Sequence, residues 1–125
     1  MNNSRAVLVV DDSIAIRNAI RGILRLHGFT VYEAESGVTA LAEWGRHKEE
    51  IAVVMTDVIM KEMDGLTLTE HLHREAPGLP IILLSGYVHE GTGWVADRAK
   101  GYFSFLTKPF VGARLLQTVR AALAA

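Results

Sequence analysis

The chain has 125 residues, half of them hydrophobic and 22% charged, with no cysteine. That length fits one domain, and the missing thiols exclude a disulfide scaffold, a Cys-ligated zinc site, an iron–sulfur cluster and a thiol nucleophile. Thirteen Lys and Arg against 14 Asp and Glu leave a net charge of −1, so no overall field draws the chain to nucleic acid or to an anionic membrane.

Along the chain, Arg5 and the apolar run 6–10 imitate the start of a signal peptide. The run meets Asp11-Asp12 with no small-residue cleavage site, which argues against that reading. No apolar run approaches the ~20 residues that span a bilayer. The run 6–10 instead suits a first strand. Ser13 is a candidate N-cap for a helix carrying Ile16, Ile20, Ile23 and Leu24 at helical spacing, with Gly28 closing it. Residues 30–34 alternate apolar and polar, as an edge strand does. Ser36-Gly37 opens a short helix over 38–44, and the charged stretch 46–50 reads as a solvated loop. Residues 51–55 form a third strand. Leu66, Leu68, Thr69 and Leu72 mark a third helix, stopped by Pro77-Gly78, and 81–84 form a fourth strand. A fourth helix is predicted over 91–100, weakened at its start by Gly91 and Gly93. A mixed strand over 102–107 and a helix over 111–124 complete the chain.

Five β-α units with crossovers long enough for helices allow an all-parallel sheet. The runs 6–10, 51–55 and 81–84 are rich in Val, Ile and Leu and suit central strands buried on both faces; the mixed runs suit edges. The order 2-1-3-4-5 meets both conditions with right-handed crossovers. The expected fold is a doubly wound, flavodoxin-like α/β domain with five helices on the two faces, one domain over 1–125 with its core at about 5–124. Ligands bind such sheets beyond the carboxyl ends of the strands, at the switch point between strands 1 and 3.

The polar residues fall at that place. The first strand runs into Asp11-Asp12, the third through Thr56 into Asp57, the fourth into Ser85-Gly86, and the fifth into Lys108-Pro109. Three carboxylates brought together must be protonated or share a cation. Oxygen ligands without His or Cys favour a hard ion, Mg²⁺ before Mn²⁺. A carboxylate beside such an ion and a lysine can accept a phosphoryl group, with the Ser85 hydroxyl donating to its oxygens. His71 and His73, two apart on a helix, point to different sides and offer no shared metal site.

These residues resemble the receiver domain of two-component response regulators. The resemblance rests on Val9-Val10-Asp11-Asp12, on Asp57-Val58-Ile59-Met60 with Met63-Asp64-Gly65, on Ser85-Gly86, and on Phe105-Leu106-Thr107-Lys108-Pro109-Phe110, and covers about residues 5–124. It implies Asp57 as phosphoacceptor. It implies Mg²⁺ held by Asp11, Asp12, Asp57 and the backbone carbonyl of Ile59, and Lys108 on the phosphoryl group before a Lys108-Pro109 bond that is often cis in the family. Ser85 would be the switch hydroxyl and Phe105 the switch aromatic, with static core as the competing role for Phe105. Phosphorylation would draw Ser85 inward and change the face made by the fourth helix, fifth strand and fifth helix. That face is a candidate homodimer surface. Because Phe105 lacks a hydroxyl, its ring would signal by packing alone. The implied partners are a histidine kinase or histidine phosphotransfer protein and an output protein, with no direct contact to nucleic acid or membrane and a cytoplasmic location.

Two positions depart from the pattern: Lys61 stands where Pro is usual and Tyr102 where a small residue is usual; bulky Tyr87 and Ile59 flank the phosphorylation site and could slow hydrolysis of the acyl phosphate. Ser85-Gly86-Tyr87 resembles receivers attached to hybrid histidine kinases. With no DNA-binding segment before Ala125, the expectation is a stand-alone receiver or an excised one, and no turnover of a diffusible substrate. A degenerate, phosphorylation-independent receiver is the alternative. A haloacid-dehalogenase-type phosphatase is more remote, because Ile59 stands where that family needs a second aspartate.

Overall fold

The computed structural model describes residues 5–60, 62–86 and 103–124. Its strands are β1 (Ala6–Val10), β2 (Thr30–Ala34), β3 (Ile51–Asp57), β4 (Ile81–Ser85) and β5 (Ser104–Thr107). The helices among the described residues are α1 (Ile14–Leu26), α2 (Gly37–His47), α3 (Gly65–Glu75) and α4 (Gly112–Ala124). All strand pairings are parallel, in the order β2-β1-β3-β4-β5.

Every residue of β1 and β4 is buried, which their unbroken apolar sequences require, since helices cover both faces. Alternate side chains divide the core in two. Leu8, Val10, Val54, Ile81 and Leu83 pack with Trp44 of α2 and with Leu66, Leu68 and Leu72 of α3. Val7, Val9, Val53, Met55, Ile82 and Leu84 pack with Ile20 and Leu24 of α1 and with Leu115 and Val119 of α4. The mixed strands β2 and β5 are the edges, as their composition predicts.

Local signals set the helix starts. Ser13 accepts a hydrogen bond from the Ile16 N–H, Ser36 and Thr39 form a reciprocal capping box, and Asp64 accepts from the Thr67 N–H at 2.8 Å. After α1, Gly28 takes φ +91°, a conformation that costs glycine little.

One expectation needs correction: the second helix extends past residue 44 to His47, while Lys48, Glu49 and Glu50 form the exposed turn expected of a solvated stretch. Tyr32 on the edge strand offers a flat apolar surface, and the His47 ring stacks on it with centroids 3.8 Å apart. The Tyr32 hydroxyl donates to Glu50 at 2.6 Å, and Lys48 reaches Glu75 of α3 at 2.8 Å. At the other end of the sequence, α4 begins at Gly112 and β5 at Ser104. The predicted helix over 91–100 and the residues Lys61, Tyr87 and Tyr102 lie outside the described residues. The Arg5 guanidinium donates to the Leu123 carbonyl at 3.3 Å, joining the start of β1 to the end of α4.

Candidate functional site

The carboxyl ends of β1, β3 and β5 form one acidic crevice. Asp11, Asp12 and Asp57 each offer a carboxylate oxygen, and these oxygens lie within 4.8 Å of one another. Asp11 follows β1 and is completely buried, whereas Asp12 is exposed. Asp57 ends β3 with its side chain 14% exposed.

Asp11 is satisfied on every side. One carboxylate oxygen accepts from the Ser13 N–H at 2.9 Å, the other from Lys108 Nζ at 2.8 Å. Its own N–H donates to the Ala34 carbonyl at 3.1 Å. Lys108 Nζ stands 3.6 Å from Asp57 Oδ1, an ion pair beyond hydrogen-bond length. Lys108 is itself aimed by its backbone, whose N–H donates to the Ser85 carbonyl at 2.7 Å, and the Lys108-Pro109 bond is cis.

Burial pushes the Asp57 carboxyl up to about 6; Lys108 pulls it down, while Asp11 and Asp12 push it further up. At pH 7 the group is mostly ionised, at a cost that a divalent cation among the three acids would offset. An all-oxygen donor set of this spacing fits a hard ion such as Mg²⁺.

The remaining expected residues group around the crevice. Ser85, at the end of β4, is buried beside Lys108. Phe105 is partly buried against the core beneath α2 and α3, while its neighbour Leu106 enters the other core. Ile59, two residues past Asp57, is 70% exposed. Tyr87 and Lys61, named as flanking residues, lie outside the described residues, and exposed Pro109 follows the lysine.

The role of Gly65 emerges only in three dimensions. Its N–H donates to the Val58 carbonyl at 2.8 Å, and a Cβ there would collide with the Asp57 carbonyl group and lie 3.1 Å from the Val58 Cα. The glycine therefore lets the start of α3 press against the strand end that carries Asp57. A glycine directly after an N-cap aspartate, where stronger helix formers exist, was the available signal. Arg17 also escaped sequence reasoning; it donates to the Asp11 carbonyl at 2.7 Å. Nothing in linear spacing distinguishes it from a solvated helix arginine.

A five-stranded doubly wound sheet with three carboxylates and a lysine at its switch point defines a receiver-type module. Residues 7–120 match the response regulator receiver domain, and the chain belongs to that family. It is 38% identical over 120 residues to the sensor kinase CckA of Brucella abortus, covering 96% of this chain and 13% of that protein. It is 36% identical over 124 residues to the C4-dicarboxylate transport transcriptional regulatory protein DctD of Rhizobium meliloti, covering 98% of this chain and 26% of the other. The chain thus spans only a minor part of these curated relatives. Among solved structures, the chemotaxis protein CheY4 of Vibrio cholerae superimposes with TM-score 0.88 at 29% identity, covering 96% of this chain and 99% of that one. The receiver domain of NtrX from Brucella abortus gives 0.84 at 31%, with 95% and 98% covered. The family match and the sheet order agree with the flavodoxin-like reading and do not favour the phosphatase alternative.

Proposed function

We propose that this receiver domain is switched by phosphorylation of Asp57. The observation that carries the reading is the convergence of Asp11, Asp12 and Asp57 within 4.8 Å, with the Lys108 ammonium against two of them. A carboxylate oxygen of Asp57 forms an O–P bond while the P–N bond of a donor phosphohistidine breaks; the imidazole leaves with the electron pair and takes a proton from water. Lys108 and the Ser85 hydroxyl face the phosphoryl oxygens and offset their charge. The carboxylates of Asp11, Asp12 and Asp57 and the Ile59 carbonyl would hold Mg²⁺, or Mn²⁺ in its place, which supplies further charge compensation there.

The phosphoryl donor is a histidine kinase or histidine phosphotransfer protein. Four exposed apolar side chains support a protein partner at this pole: Ile14, Val38, Ile59 and Val111, each in or beside a connection that follows a strand end. The message leaves through Ser85 and Phe105, whose ring lies on the α2 and α3 face of the sheet and, by repacking there, alters the surface beside β5 offered to an output protein. The only chemistry assigned to the chain is gain and loss of this phosphoryl group.

Incubation with phosphoramidate and Mg²⁺ tests the proposal. The expected result is a mass gain of one phosphoryl group that is absent in Asp57→Asn and abolished by chelating the metal. An unmodified wild type under these conditions would leave the degenerate-receiver alternative standing.

A further inference from the structure

The bonds that hold Asp11 continue out of the crevice to the edge of the sheet. Arg17, near the start of α1, donates from Nη1 to the Asp11 carbonyl at 2.7 Å and from Nε to Glu33 Oε1 at 3.2 Å. The second oxygen of Glu33 accepts from Arg21 Nη1, one turn further along α1, at 2.6 Å. Glu33 sits on edge strand β2, and the Arg17 side chain is only 13% exposed. One guanidinium therefore spans from the end of β1 to β2, with its direction fixed by a carboxylate that is itself held twice.

We infer that Arg17, aimed by Glu33, is a positioning residue for the Asp11-Asp12 pair, setting how the two carboxylates meet a divalent cation. The inference rests on the cation-binding reading above. The peptide group is planar, so the Asp11 carbonyl shares a plane with the nitrogen and Cα of Asp12. A charge-assisted hydrogen bond to that carbonyl fixes the plane, and with it the backbone positions from which a buried carboxylate and an exposed one reach the cation. Ser13 and Lys108 hold the Asp11 side chain, and the Ala34 carbonyl holds its N–H. Arg17 is the side chain that holds its carbonyl. Groups that orient ligands without touching the ion typically account for ~10–100-fold in affinity.

Positioning and plain electrostatics predict opposite signs. Removing a cation from the neighbourhood of a cation site should tighten binding by Coulomb's law; removing the brace should loosen it. The test is Mn²⁺ binding to the whole chain at pH 7, followed by the electron paramagnetic resonance of free Mn²⁺, with circular dichroism to check folding. The expected result is a dissociation constant raised about 10-fold in Arg17→Ala, raised less in Glu33→Gln, and partly restored in Arg17→Lys. Arg25→Ala, which removes the same charge from the end of the same helix, should stay close to wild type. Unchanged or tighter binding by folded Arg17→Ala overturns the inference. If that variant does not fold, unchanged affinity in both Glu33→Gln and Arg17→Lys overturns it equally. A wild type that binds no Mn²⁺ removes the cation-binding reading and the inference together. Wild-type binding that is lost in Asp12→Asn yet indifferent to Arg17 removes the inference alone.

Discussion

Two lysine–carboxylate pairs in this domain have the same length and different meaning. Lys108 meets Asp11 at 2.8 Å, with side chains 20% and 1% exposed, and Lys48 meets Glu75 at 2.8 Å, with side chains 49% and 50% exposed. The second pair lies in water, where screening and side-chain entropy cancel most of the attraction. It tethers the end of α2 to α3 and accompanies a hydrogen bond from Trp44 to the same glutamate. The first pair has no such freedom, because the Asp11 carboxylate has left water and depends on its partners. Distance does not separate the exposed tether from the pair in the candidate site; burial does.

The largest expected effect breaks the buried pair. Lys108→Ala leaves the Asp11 carboxylate without its cation and should lower unfolding free energy at pH 7 by about 3 kcal/mol in metal-free buffer. Denaturant titration measures this loss, and added Mg²⁺ should recover part of it. Next comes the backbone contact behind the crevice. Gly65→Ala forces α3 away from the Asp57 carbonyl and should cost about 2 kcal/mol. It should also slow phosphorylation at Asp57, which a structural loss remote from the site would not do.

A third, opposite effect comes from Asp57. Its carboxyl is raised to about 6 in the folded domain, above the 3.8 of an ordinary aspartate. The folded state therefore holds the proton more tightly than the unfolded chain, so this group penalises folding above pH 6. The penalty is relieved as pH falls from about 6 towards 3.8. Asp57→Asn should raise the melting temperature of the metal-free protein at pH 7 by about 5 °C. That advantage should shrink towards pH 4 and shrink also when Mg²⁺ is added to the wild type. The smallest effect sharpens the comparison from the other side. Lys48→Ala, which removes an equally short pair, should move the melting temperature by less than about 2 °C.

Much of this arrangement was legible in the sequence, for a physical reason. Strands buried on both faces must be apolar throughout, so runs such as 6–10 and 81–84 disclosed both their existence and their central places. A parallel doubly wound sheet sends all its strand ends to one pole, so Asp11, Asp12, Asp57, Ser85 and Lys108 could be grouped without coordinates. Long-range side-chain matching was not legible. The stack of Tyr32 on His47 lies at the last residue of α2, past the polar residues that suggested its end. Arg17 looks like any helix arginine until the fold brings Glu33 beside it. Gly65 reads as a weak helix starter until the Asp57 backbone is seen against it.

The bond from Arg5 to the Leu123 carbonyl has a use in engineering. It shows that the Arg5 side chain reaches the last turn of α4 at the pole where the strands begin, away from the acidic crevice. A few glycines could bridge the two ends, and the chain could be reopened in the exposed Pro77-Gly78 turn, where permuted termini are best tolerated. The strands would then follow one another as β4, β5, β1, β2, β3, while their order across the sheet stayed the same. Such a permutant would place Asp57 near the end of the chain and Lys108 near its beginning, yet keep them paired across the same crevice.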